Sequence, residues 1–202
     1  MFKIFTLPLT NRSEGHKKVY QLLKWQYEAL TGQAMPPVVT MKRGKPAWEG
    51  GGLQFNLSHT RSMAVCAISD SSVGVDVEHI RAVTPGLILR VLSGEERSWV
   101  LRQPDQKAAV MTLWTLKEAY VKYTGQGLRG IPKCINFKMG NKIYLPLAPQ
   151  ALFGTRQVGA CVISWCISKE QQTQEPQWIH CPRIPGVYAR LDPEFMPEIE
   201  TP

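Results

Sequence analysis

No apolar run in this 202-residue chain approaches the length of a membrane span, which argues against a transmembrane helix. Its five cysteines include no Cys-x-x-Cys pair, and the odd count argues against a complete set of disulfides. Cys66, Cys161 and Cys166 lie in apolar strand-like runs, so they read as small buried thiols in a reducing compartment. Met1-Phe-Lys-Ile-Phe leads straight into a strand pattern rather than a leader peptide, and a soluble, cytoplasmic protein is expected. The lack of any internal period excludes a solenoid. The formal charge of +8 comes without a nucleic-acid fold signature and with its lysines and arginines scattered, so nucleic acid is not the expected partner. What remains is 44% hydrophobic residues, enough for a substantial core in one or two compact units.

Hydrophobic period and punctuation place the elements. Strands are expected near 2–7, 38–42, 53–57, 63–69 and 73–77, with a helix over 12–31 between the first two. Asn11-Arg-Ser-Glu14 reads as the capping box of that helix, Val19, Leu22, Leu23 and Leu30 as its apolar stripe, and Gly32 as its stop. Thr84-Pro85 begins another helix, and Ser93-Gly-Glu-Glu96 is a second capping box. Val110, Leu113, Trp114 and Val121 then mark a helix over 105–124, opened by Gln103-Pro104-Asp105 and closed by Gly125. Strands near 134–139, 142–146 and 159–168 follow. Past Glu170 the composition turns to Gln, Pro and Glu, and residues 171–202 are expected as an extended tail packed through Trp178, Tyr188 or Phe195, or as partly disordered.

Chemistry concentrates in four segments. In the 105–124 helix, Trp114, Glu118 and Lys122 fall in one row with Lys117 a quarter turn away, which sets a carboxylate beside a permanent cation. Taken alone, Glu118 and Lys122 read as a surface ion pair. In Val73-Gly-Val-Asp76-Val-Glu78, strand alternation sends Asp76 and Glu78 to one face and Val75 and Val77 to the other. Two neighbouring carboxylates repel, and a hard cation such as Mg2+, bound through oxygen ligands and substrate phosphates, would balance them. Arg43-Gly44-Lys45-Pro46 is a turn carrying two cations, and Phe55-Asn56-Leu57-Ser58-His59 ends a short apolar run in hydrogen-bond donors.

In that order, Gly44-Lys45-Pro46, Phe55-Asn56-Leu57-Ser58-His59, Gly74-Val-Asp76-Val-Glu78 and Trp114-x-x-Lys117-Glu118-Ala119-x-x-Lys122, the chain resembles the 4'-phosphopantetheinyl transferases of the Sfp type, from about residue 13 to about residue 140. The resemblance implies an α+β fold of two similar halves with pseudo-twofold symmetry: an N-terminal half over 1–78, a C-terminal half over 79–170, then the Pro/Gln-rich tail over 171–202. It implies transfer of the phosphopantetheine arm of coenzyme A to a serine of an acyl, peptidyl or aryl carrier protein, releasing 3',5'-ADP. Asp76, Glu78 and Glu118 would hold Mg2+, with Mn2+ as the other candidate, and Lys122 would neutralise phosphate charge. Glu118 is the expected base, so the catalytic set is Glu118, Lys122 and Asp76. Lys45, Pro46, Ser58, His59 and Lys122 would contact coenzyme A, and Lys17, in the His16-Lys17 pair that matches a family His-Arg pair, its 3'-phosphate. Carrier proteins are acidic, which suits a basic partner. The larger, two-half family form implies a monomer.

Two rival readings remain at this point. A metal-dependent nuclease or phosphodiesterase could use Asp76, Glu78, Glu118 and Lys122 without the Gly44-Lys45-Pro46 and Ser58-His59 segments. A non-enzymatic basic module would leave the carboxylates merely ion-paired. Neither accounts for the four segments in their order.

Overall fold

The computed structural model describes residues 1–10, 14–41, 44–126, 135–170 and 175–184. Its core is a four-layer α/β/β/α stack, and the alternation of side chains along two strands explains the layering. Strand β5 (Met63–Ser69) is buried at every position. Its Val65 and Ala67 enter a core between two sheets, while Ala64, Cys66 and Ile68 enter a second core beneath helix α1 (Gly15–Thr31). Strand β10 (Cys161–Ser168) divides likewise: Ile163, Trp165 and Ile167 face the inter-sheet core, and Val162 and Cys166 face helix α4 (Gln106–Thr124). A strand buried on both faces reads as a continuous apolar run, as both of these do.

The first sheet has the order β11 (Gln177–His180), β1 (Phe2–Pro8), β5, β4 (Gln54–His59). The second runs β6 (Val73–His79), β10, β9 (Ala151–Val158). All pairs are antiparallel except β1 with β11, which are parallel. The two sheets meet along β4 and β6, where side chains replace a backbone ladder: Asn56 Oδ1 accepts from Val75 N at 2.9 Å and Ser58 Oγ from Val77 N at 3.3 Å. These bonds satisfy amides on the free edge of β6 that burial would otherwise leave at a cost. Helices α2 (Pro85–Val91) and α3 (Gly94–Leu101) pack beside α4, and two short ribbons pair β2 (Val38–Thr40) with β3 (Pro46–Trp48) and β7 (Lys138–Met139) with β8 (Ile143–Tyr144).

The α+β class is as expected, and so are the Thr84 cap with Pro85 behind it, the two-sided Ser93–Glu96 capping box, and α4 between Asp105 and Gly125. Helix α1 differs at its start. It begins at Gly15 with Glu14 as N-cap and no side-chain capping bond, while Asn11, Arg12 and Ser13 of the expected box lie outside the described residues. Strands β3 and β9 had not been expected. Of the run over 134–139, only Lys138–Met139 is a strand; Cys134 lies outside the described residues. In the expected tail, Gln177–His180 is a strand of the first sheet, with Trp178 edge-on to Trp165 at 5.4 Å and Arg156 5.0 Å above its ring. Tyr188 and Phe195 lie outside the described residues. Cys66, Cys161, Cys166 and Cys181 are buried free thiols. Among the described residues no helix is long and apolar enough to cross a membrane.

Candidate active site

The site forms where α4 crosses β6. The pleat turns Val73, Val75 and Val77 into the inter-sheet core and Gly74, Asp76 and Glu78 toward α4. Helix and strand approach so closely at Gly74 that a Cβ there would stand 2.0 Å from Ala119 O and 2.5 Å from Tyr123 N, so only glycine fits. That approach brings the row of Glu118 and Lys122 over Asp76.

Lys122 ties the seam together. Its Nζ donates to Asp76 Oδ1 at 2.7 Å, Val75 O at 3.2 Å and Leu57 O at 3.5 Å. Ser58 Oγ donates to the same Asp76 oxygen at 2.8 Å. The other oxygen, Asp76 Oδ2, is buried and has no hydrogen-bond partner among the described residues. Glu118 is 6% exposed; burial first, then the negative charge of Asp76, lift its carboxyl to about 7 against the opposing pull of Lys122. Burial and Asp76 also raise Glu78, with Arg81 and Lys122 opposing. An orphaned anionic oxygen beside two carboxyls that resist ionisation is an all-oxygen donor set short of positive charge, and it fits a hard divalent cation. Among the described residues, however, no group of three or more His, Cys, Asp or Glu stands at metal-holding spacing, and the positive charge seated on Asp76 is the Lys122 ammonium.

Beside this cluster opens a cleft of about 350 Å³, lined by His16, Val19, Tyr20, Pro46, Leu57, Ser58, His59 and Lys122. Four of the residues singled out in the sequence, Pro46, Ser58, His59 and Lys122, therefore share one cavity. The His59 ring rests on the first turn of α1, where a Cβ on Gly15 would stand 2.5 Å from Nδ1. Lys17 is exposed on α1 and does not line the cleft; its neighbour His16 does, with its ring 5.0 Å from that of Tyr20. Lys45 turns to backbone instead. Its Nζ donates to Val73 O at 3.1 Å and Tyr123 O at 3.2 Å, and burial lowers its pKa.

Lys117 plays no part in the cluster. It is wholly buried on the other side of α4, where Nζ donates to Glu96 Oε2 at 2.7 Å and Val91 O at 2.9 Å. Glu96 also accepts from Ser93 N and, through Oε1, from Phe137 N at 2.9 Å, so one carboxylate joins α3, α4 and the chain entering β7. Sequence reasoning missed Tyr20, and it named His16 and Asn56 only as neighbours of Lys17 and Ser58 without giving them a role. The only local signal for Tyr20 was its spacing of four from His16 at the start of an amphipathic helix.

Residues 72–171, which include β6, α4, β9 and β10, match the family model described as the 4'-phosphopantetheinyl transferase superfamily. A 4'-phosphopantetheinyl transferase of Bacillus pumilus, psf-1, is 40% identical over 76 residues, 37% of this chain and 33% of that protein. The gsp transferase of Aneurinibacillus migulanus is 35% identical over 78 residues, covering 38% and 33%, and Sfp of Bacillus subtilis is 30% identical over 76, covering 37% and 34%. Over residues 72–171 the chain is therefore similar to the 4'-phosphopantetheinyl transferase superfamily. Within it the similarity runs to the Sfp type, as the order of the four motifs had suggested. The matched part spans about a third of each of these relatives. The findings give the nuclease alternative no support.

Proposed function

We propose that this protein transfers the 4'-phosphopantetheine group of coenzyme A to a serine of an acidic apo carrier protein, acyl, peptidyl or aryl, releasing 3',5'-ADP. The observation that carries the reading is the Asp76 carboxylate, held through Oδ1 by Ser58 and Lys122 with Oδ2 buried and without a partner among the described residues, beside the cleft of about 350 Å³ that Ser58 and Lys122 line. The serine oxygen bonds to the β-phosphorus, the pyrophosphate P–O bond breaks, and the α-phosphate leaves as the 5'-phosphate of 3',5'-ADP. Asp76, Glu78 and Glu118 would hold Mg2+ or Mn2+, which when bound neutralises charge on the pyrophosphate.

The chain's own groups supply the rest. Lys122 can exchange its carbonyl contacts for phosphate oxygens and meet the charge that develops as the P–O bond breaks. Glu118 takes the serine proton, and a carboxyl poised near neutral pH is matched to that task. Ser58 and His59 face the phosphates, and Pro46, Val19, Tyr20 and His16 wall the nucleotide end. Lys45 supports that wall through its carbonyl bonds, and Lys17, next along from His16, reaches the 3'-phosphate. The net charge of +8 favours encounter with an acidic carrier. The active form is a cytoplasmic monomer of two α+β halves.

Intact-mass spectrometry of an apo carrier incubated with the protein, coenzyme A and Mg2+ tests the proposal. A phosphopantetheine mass gain on the carrier, absent with EDTA and with Glu118→Ala or Asp76→Ala, is expected. No gain across acyl, peptidyl and aryl carriers would overturn the reading.

A further inference from the structure

The layer beneath α4 contains a polar feature that the proposed chemistry does not use. Leu113, Leu116 and Ala119 of the helix pack with Val162, Cys166, Phe153 and Ala151 of the sheet in one apolar core. Inside it stand two hydroxyls with no exposure, Thr115 and Ser164, their oxygens 2.6 Å apart. Ser164 Oγ lies 3.2 Å from Thr155 Oγ1, which donates to Ile163 O at 3.2 Å. Thr115 Oγ1 also lies 2.9 Å from Met111 O and 3.1 Å from Thr112 O, so either hydroxyl of the Thr115–Ser164 pair can be the donor, and the row ends through Thr155 on a carbonyl.

The register gives the row its meaning. Ser164 is the partner of Asp76 across the β6–β10 ladder and of Thr155 across β10–β9, so Asp76, Ser164 and Thr155 form one cross-strand row under the helix. Thr115 and Lys122, seven positions apart, lie on the same side of α4 two turns from each other, with Glu118 between them. One grips Ser164 and the other grips Asp76. Apolar contact is non-directional and does not by itself set how far a helix is rolled about its axis. A buried hydrogen bond does, because leaving either partner unsatisfied is costly.

We propose that Thr115 and Ser164 are positioning residues: a buried hydroxyl pair that sets the roll of α4 over the second sheet and so aims Glu118 at Asp76. The proposal rests on the reading of Asp76 and Glu118 as cation ligands. Removing a group that bonds a metal ligand directly typically costs about 10–100-fold in affinity, and a pair that orients the helix carrying the ligand is assigned the lower end of that range.

The test measures Mn2+ affinity of the free protein by electron paramagnetic resonance, alongside thermal unfolding, for Thr115→Val, Ser164→Ala, the double variant and Thr115→Ser. Thr112→Val is the control, since the Thr112 hydroxyl bonds only to Ala108 O of its own helix. Thr115→Val and Ser164→Ala should each weaken Mn2+ about 10-fold. The double variant should weaken it by little more than either single change, because the two act as one unit. Thr115→Ser should stay within about twofold of the unchanged protein, and Thr112→Val should leave Mn2+ affinity unmoved. Should Thr115→Val fail to fold, Ser164→Ala decides. Unaltered Mn2+ affinity in the folded variants would overturn the positioning role alone. Absence of Mn2+ binding by the unchanged protein would overturn the ligand reading and this proposal with it.

Discussion

Burial and the neighbouring Asp76 raise the Glu118 carboxyl, and its titration should be visible in the stability of the whole protein. A carboxyl that keeps its proton to about 7 when folded, against an ordinary value of 4.5, binds more protons folded than unfolded between those values. Stability therefore falls as pH rises through that window, and Glu78, raised in the same direction, adds to the fall. The unfolding temperature of the cation-free protein should drop more steeply from pH 5 to pH 7.5 than that of Glu118→Gln, and saturating Mg2+ should flatten the difference. Parallel slopes in calorimetry would refute this account of Glu118. Lys117 makes a different prediction. Lys117→Met leaves the Glu96 carboxylate buried without its cation, which should cost about 3–5 kcal/mol in urea unfolding.

At this scale much of the site was readable in the sequence. The strand period aimed Asp76 and Glu78 correctly, and the helix period put Glu118 and Lys122 in one row, because both depend only on local geometry. What distinguishes Lys117 from Lys122 is the element each meets, Glu96 of α3 or Asp76 of β6, and nothing within five residues of either lysine reveals that. Glu96 was already explained as a capping residue, which concealed its second partner. Ser58 also donates to Asp76, 18 positions away on a strand of the other sheet, a partner that no local pattern could show.

Among elements, α4 was recognisable from end to end, since Asp105 and Gly125 mark its limits by capping chemistry that needs no tertiary context. Strand β9 was not recognisable, because Gly154 interrupts its apolar pattern; the Trp165 ring occupies the space, and a Cβ at Gly154 would stand 2.1 Å from it. Gly74 plays the same part between β6 and α4 with backbone on the far side, where nothing can rotate away. Gly74→Ala should therefore destabilise by about 3 kcal/mol or more. Gly86→Ala, in α2 with nothing within 4 Å of the new Cβ, should gain roughly 0.5–1 kcal/mol. Equal midpoints for the two variants in denaturant would contradict the close approach that brings Glu118 over Asp76.

For the whole molecule, the two sheets share one core but are laced at a single seam, and the proposed chemistry sits on that seam. The first sheet also depends on the far end of the described chain: β11 covers one edge of β1, Cys181 N donates to Thr6 O at 2.7 Å, and Cys181 and Ile184 are buried in the core under α1. A chain ending at Glu175 should lose a few kcal/mol through that lost burial alone and aggregate through the bared edge of β1. Size-exclusion chromatography and thermal unfolding check this, and a monomer as stable as the full chain would refute it.

The parallel pairing of β1 with β11 joins the first described strand to the last, so the order of synthesis matters. At about 5–20 residues per second, roughly ten to thirty-five seconds separate the emergence of β1 from that of its final partner. Once β5 has emerged, β1 can pair with it on one side while its other edge stays open on the ribosome. Nascent chains of this protein are then most dependent on chaperones after the second sheet has formed and before β11 is made.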